Sequence, residues 1–161
     1  MLFRSGFYSL RVWCSNGAKN WSSDIALSCK NTSNNQFKLL SLVPKFIDVT
    51  KECENYVTML NKATQIKVTQ TEIETYICNL LGFKPHELIE QSKKMRNIFD
   101  AINASAHIEM SNTGKNLFSL LQGATRWVTH DFAEGNTEKI LYTEGAKYNQ
   151  KAHILTLAMM N

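Results

Sequence analysis

Four polar side chains, Ser119, Gln122, Arg126 and His130, follow one another at steps of three and four residues. On a helix that spacing lines them up along one face. An arginine and a histidine one turn apart suit a phosphate or a carboxylate. The planar guanidinium offers a fork of N–H donors and the imidazole adds another. The same two residues also suit the C-terminal end of a helix, where cations offset the negative end of the dipole, so a solvated face explains the pattern too.

A second set lies near the start of the chain. Tyr8, Arg11, Trp13, Lys19 and Trp21 alternate aromatic and basic character. Surfaces that bind single-stranded nucleic acid combine aromatic platforms for base stacking with cations for the backbone. On a strand, Arg11 and Trp13 share one face with Ser9, while Tyr8, Leu10 and Val12 share the other. Packing of Trp13 and Trp21 between a sheet and helices is the alternative use. Residues 1–45 hold six basic side chains (Arg4, Arg11, Lys19, Lys30, Lys38 and Lys45) against one acid, Asp24. The whole chain carries +4, so this segment holds +5 and the remainder −1. Such a layout favours a polyanion or an acidic protein surface as partner, or simply a solvated basic face.

Other chemistries find little support. His107, His130 and His153 would have to meet Asp131 or Glu109 to form a metal site, but no two histidines are four residues apart to project from one helix face. Lys115 follows Gly114 without the rest of a phosphate loop, and no G-x-S-x-G elbow positions a nucleophilic serine. His130 is the one plausible general base. No metal, no cofactor and no catalysis are therefore expected. Cys14, Cys29, Cys53 and Cys78 form no C-x-x-C pair, which suits free thiols in a reducing cytoplasm. The first residues lack a secretory h-region, and no apolar run is long enough to span a bilayer.

The elements that must position these residues follow from periodicity and punctuation. Phe7–Cys14 is rich in aromatic and β-branched residues and reads as a strand. Ser15-Asn16-Gly17 signals a turn, and Ile25–Lys30 supplies a partner strand. Unpaired edges of so small a sheet predict a homo-oligomer. From Gln36 to Thr64 apolar residues recur at helical steps, with a kink or break expected at Pro44. Thr69-Gln70-Thr71-Glu72 has the form of a capping box, opening a helix that ends at Gly82. Pro85 begins a helix expected to reach about Ala104. Thr113 is expected to cap the next, whose Leu117, Leu120, Leu121, Ala124, Trp127 and Val128 form the clearest apolar stripe. Gly135-Asn136 breaks it, and a last helix is expected over Thr143–Met159. The fold class expected is α+β, a mainly α-helical single domain over residues 1–161. Residues 1–35 form a basic N-terminal β-hairpin segment and residues 36–161 the helical portion.

Arg11-Val12-Trp13-Cys14-Ser15-Asn16 resembles the strand end R-V-x-C-x-N of a family of phage- and plasmid-borne proteins of unknown function. Downstream, Leu117-Phe118 followed by Ala124-Thr125-Arg126-Trp127-Val128-Thr129-His130 resembles the family's aromatic helix, and Gly145-Ala146-Lys147 its closing segment. The likeness covers the C-terminal half to two-thirds of a typical member, and Arg126 stands where members commonly have an acid. It implies a protein acting in a bacterial host cytoplasm, with no established activity. The function expected is non-catalytic binding of DNA or RNA, in replication or recombination, through Arg11, Trp13, Lys19, Lys30, Arg126 and His130. The alternative is a small phage inhibitor that binds a bacterial host defence protein, of the anti-restriction or anti-CRISPR type. No membrane association is expected.

Overall fold

A computed structural model describes the backbone of residues 4–7, 10–12, 19–21, 27–30 and 43–161, with side chains from residue 54 onward apart from 137, 141 and 142. The N-terminal β-hairpin expected over Phe7–Cys14 and Ile25–Lys30 depends on residues outside that description, its Ser15-Asn16-Gly17 turn among them. Two compact units divide the chain, residues 1–11 with 21–59 and residues 12–20 with 60–161. The buried apolar cluster lies within residues 60–161, and this body is mainly helical.

Helix α1 spans Val43–Gln65. Pro44 stands in its first turn, where a missing backbone N–H costs no hydrogen bond. Helix α2, Gln70–Leu81, opens on the capping box foreseen from the sequence. The Thr69 side chain accepts from the backbone of Glu72, and the Glu72 carboxylate accepts from the Thr69 N–H at 2.7 Å. Gly82 closes α2 at φ 94°, a left-handed conformation that costs glycine little.

The next segment differs from expectation. Pro85–Glu87 makes only a short 3-10 turn, because the Glu87 carboxylate folds back to accept the Lys84 N–H at 2.7 Å. Helix α3 starts later, at Lys93, where the Ser92 hydroxyl accepts from the Met95 N–H at 3.2 Å. It then runs past Ala104 to Thr113 and ends at Gly114, with φ 89°. Thr113 therefore ends α3 and does not cap its successor. Asn116 does, its side chain accepting from the Ser119 N–H at 2.9 Å, and asparagine is among the strongest N-caps.

Helix α4, Leu117–Trp127, passes directly into one wider π-turn over Val128–Phe132. Glu134 and Gly135 reverse the chain at positive φ, Asn136 caps the short α5 (Thr137–Tyr142), and α6 covers Glu144–Ala158 as the last helix expected. Among the described residues no helix is long and apolar enough to cross a membrane.

The apolar stripe of α4 is buried as its spacing predicts, from Leu117 through Leu120, Leu121 and Ala124 to Trp127 and Val128. It meets Ile102, Ala106 and Met110 of α3 and Ile73, Tyr76, Ile77 and Leu80 of α2 in one cluster. Two further ties fix the body. An antiparallel bridge joins Lys67 to Asn116, with the Leu117 N–H donating to the Ile66 carbonyl at 2.8 Å. The buried Tyr76 hydroxyl donates to the Ala152 carbonyl of α6 at 2.8 Å. Where α3 crosses α4, Gly123 faces Ala106 so closely that a Cβ there would collide with the Ala106 backbone, its N at 2.7 Å.

Gly123→Ala should therefore destabilise the protein by about 1–3 kcal/mol despite alanine's better helix propensity. Adding Ala106→Gly should not restore it, since the clash is with backbone and not with the Ala106 methyl alone. Urea unfolding midpoints of both variants check this.

The capping box gives a pH dependence. The Thr69 backbone N–H, then the Thr69 hydroxyl, hold the Glu72 carboxyl below its ordinary value of 4.5. Its folded pKa is depressed, so the stabilisation is present above the unfolded value and is lost as pH falls through the folded one. Glu72→Gln keeps a neutral box. The melting-temperature gap between the two proteins, full above pH 4.5, should narrow as the pH is lowered below 4.5.

Candidate functional site

Helix α4 is positioned by its apolar stripe, by its Asn116 cap and by the contact at Gly123. Together these decide what happens to the polar face read from the sequence. Ser119 and Gln122 are buried, at 0% and 2% exposure, and do not form an open surface with Arg126 and His130. From Leu117 to Thr129 only Phe118 and Arg126 escape full burial. Ser119, in the first turn of α4, is hydrogen-bonded back to the α3–α4 junction, to the Thr113 hydroxyl at 2.7 Å and to the Asn116 side chain at 2.9 Å.

Arg126 and His130 lie at the far end of the helix. Arg126 reaches back across the α3–α4 pair, its Nη1 standing 3.5 Å from Glu109 Oε1. The two side chains are 31% and 14% exposed, so the Glu109 carboxylate is largely withdrawn from water. His130 is exposed and falls within the π-turn. There the Ala133 N–H donates to the Val128 carbonyl, five residues back, at 3.0 Å. One extra residue in a turn rotates everything that follows by roughly a residue's worth of helix. Asp131, in the same turn, accepts from the buried Ser105 hydroxyl of α3 at 3.4 Å.

The turn also completes a cluster of three rings. Trp127 lies 5.5 Å from Phe132 and 5.2 Å from Tyr148 of α6, and Phe132 lies 5.4 Å from Tyr148. The latter two contacts of Tyr148 are edge-on, the arrangement ring quadrupoles favour. The π-turn thus swings Phe132 inward and leaves His130 outside.

Arg126 therefore stands beside an acid, Glu109. Its guanidinium retains donors beyond the one facing Glu109, but its charge is already matched. Among the described residues, no three His, Cys, Asp or Glu side chains gather where an ion is held, and His107, His130 and His153 do not meet Glu109 or Asp131 in such a group. Glu109 was legible as an acid but not as Arg126's partner, because seventeen residues separate them. The side chains of Arg11, Trp13, Lys19 and Lys30 lie outside the described residues. Comparison with protein-family models, with curated proteins and with solved structures finds no match for this chain.

Removing Arg126 leaves a mostly buried carboxylate without its cation. Arg126→Ala should cost about 1–3 kcal/mol, whereas His130→Ala, at an exposed position, should change stability by no more than about 0.5 kcal/mol. Glu109→Gln in the Arg126→Ala background should recover part of the loss. Chemical denaturation of the three variants decides it, and equal effects of the two single changes would remove the structural role of the pair.

Proposed function

We propose that this chain is a non-catalytic nucleic-acid-binding protein of phage or plasmid type, whose basic N-terminal segment makes the contact and whose helical body carries it. The observation behind this reading is the partition of charge. Residues 43–161 hold thirteen basic and thirteen acidic side chains, and residues 1–42 hold five basic side chains against Asp24 alone. The excess of +4 therefore belongs to the segment that also contains Tyr8, Trp13 and Trp21. Aromatic faces for bases beside cations for phosphates make the combination that single-strand binders use. An N-terminal β-hairpin is the element proposed to present Arg11 and Trp13 together.

The pairing of Arg126 with Glu109 supports the same division of labour, since it leaves that helix end with no surplus positive charge. A local surplus does exist at the start of α3, where Lys93, Lys94 and Arg96 are exposed and no acid occupies the first turn. These cations are proposed as secondary backbone contacts.

The test is binding of a single-stranded oligonucleotide across a salt series. Each phosphate neutralised contributes a slope of about −0.7 in log K against log salt for single strands. Replacing Arg11, Lys19 and Lys30 together by alanine should reduce the slope by about 2 on that basis. Arg126→Ala with His130→Ala should leave it unchanged. Salt-independent binding, or none at micromolar protein, overturns the proposal.

A further inference from the structure

Helix α6 turns its smaller residues inward. The residues it buries fully are Gly145, Asn149, Ala152 and Thr156. Two of its larger aliphatic residues stand outside, Ile154 at 58% exposure and Leu157 at 44%. Helices α2 and α4 do the reverse, burying Ile73, Ile77 and Leu80 in one case and Leu117, Leu120 and Leu121 in the other. Tyr148, Leu155, Met159 and Met160 add partly buried surface at the edge of the core. The gain from burial scales with the apolar area removed from water, so α6 is held by less of it than its neighbours.

Asn149 loosens that hold further. It is 1% exposed, and neither its Nδ2 nor its Oδ1 has a hydrogen-bond partner among the described residues. Docking α6 strips this amide of water and gives it nothing in return, a cost that opposes the docked state. The ties that oppose release are few. The Tyr76 hydroxyl donates to the Ala152 carbonyl at 2.8 Å and lies 3.2 Å from the Thr156 hydroxyl, and the Tyr148 ring meets Trp127 and Phe132. The close crossing of α3 and α4 at Ala106 and Gly123 involves no residue of α6, so it persists when α6 departs.

We propose that α6 is a releasable strap, which leaves the body as a unit while α2, α3 and α4 stay packed, and that Asn149 sets how often it does so. Release uncovers Tyr76 and Trp127, the two large side chains that α6 contacts through Ala152 and Tyr148. The strap is independent of the nucleic-acid contact, and either stands if the other fails.

Native-state hydrogen exchange of the isotopically labelled full chain, followed amide by amide at low urea concentrations, is the experiment. Residues 150–157 should share one opening constant, roughly tenfold or more above that of residues 120–125 in α4, with a weaker dependence on urea because less surface is exposed. Asn149→Leu keeps a branched outline and removes both polar atoms. It should make α6 open about tenfold less often, as expected when a buried unsatisfied amide is removed. Gly123→Ala weakens a crossing that the released form retains, so it should speed exchange in α4 and leave the opening of α6 unchanged. Equal opening constants in α6 and α4 overturn the proposal. So does faster opening of α6 in Gly123→Ala, and so does an Asn149→Leu protein whose α6 opens as often as before. The comparison of α6 with α4 in the unaltered chain decides the release even where a variant fails to fold.

Discussion

Helices α3 and α4 touch through backbone at Ala106 and Gly123, and most of the packed body is arranged around that contact. Two helices come this close only where one lacks a side chain. The approach sets how deeply α4 sinks between its neighbours, and hence why even its polar residues lose access to water. It also brings Glu109, one turn along α3 from Ser105, within reach of Arg126. A glycine inside a helix is intrinsically unfavourable by about 0.5–1 kcal/mol relative to alanine, and here close packing offsets that.

A second constraint acts at the other end of α4. The π-turn over Val128–Phe132 adds one residue to the helical register and so reassigns the faces beyond Trp127. Phe132 joins Trp127 and Tyr148, and this ring cluster ties α4 to α6. Asp131 turns toward Ser105 on α3. The two ends of α4 are thus held differently, one by the Asn116 cap and the Lys67 bridge, the other by rings and an ion pair. Burial of nearly all of α4 makes it the central element of residues 60–161.

Charge and burial together separate the protein into a neutral helical body and a basic N-terminal segment. In the body, the half-buried Arg126 meets Glu109, and on the surface Lys147 meets Glu144. A surface so balanced has little long-range pull on a polyanion, because fields of opposite sign cancel beyond about 10 Å at moderate salt. An unbalanced segment with aromatic residues retains that pull.

Local chemistry in the sequence determined the features that neighbouring residues decide among themselves. Thr69 and Glu72 sit at the spacing of a reciprocal cap, Gly82 adopts the left-handed end, and the stripe from Leu117 to Val128 repeats at the period of a helix. Each needs only contacts within one turn, so each is legible in order along the chain. The cap of α4 was misplaced at Thr113, because that residue still belongs to α3, which ends at the positive φ of Gly114, and Asn116 takes the cap. Tertiary structure alone decided the fate of the polar face. Periodicity reports which residues share a side of a helix, but not whether another helix covers that side. Ser119 and Gln122 share a face with Arg126 by spacing, yet the close crossing of α3 buries them and supplies Arg126 with an acid seventeen residues away. The hydrogen bond between the Tyr76 and Thr156 hydroxyls, which ties α2 to α6, arose in the same way, from residues eighty apart that no local pattern links.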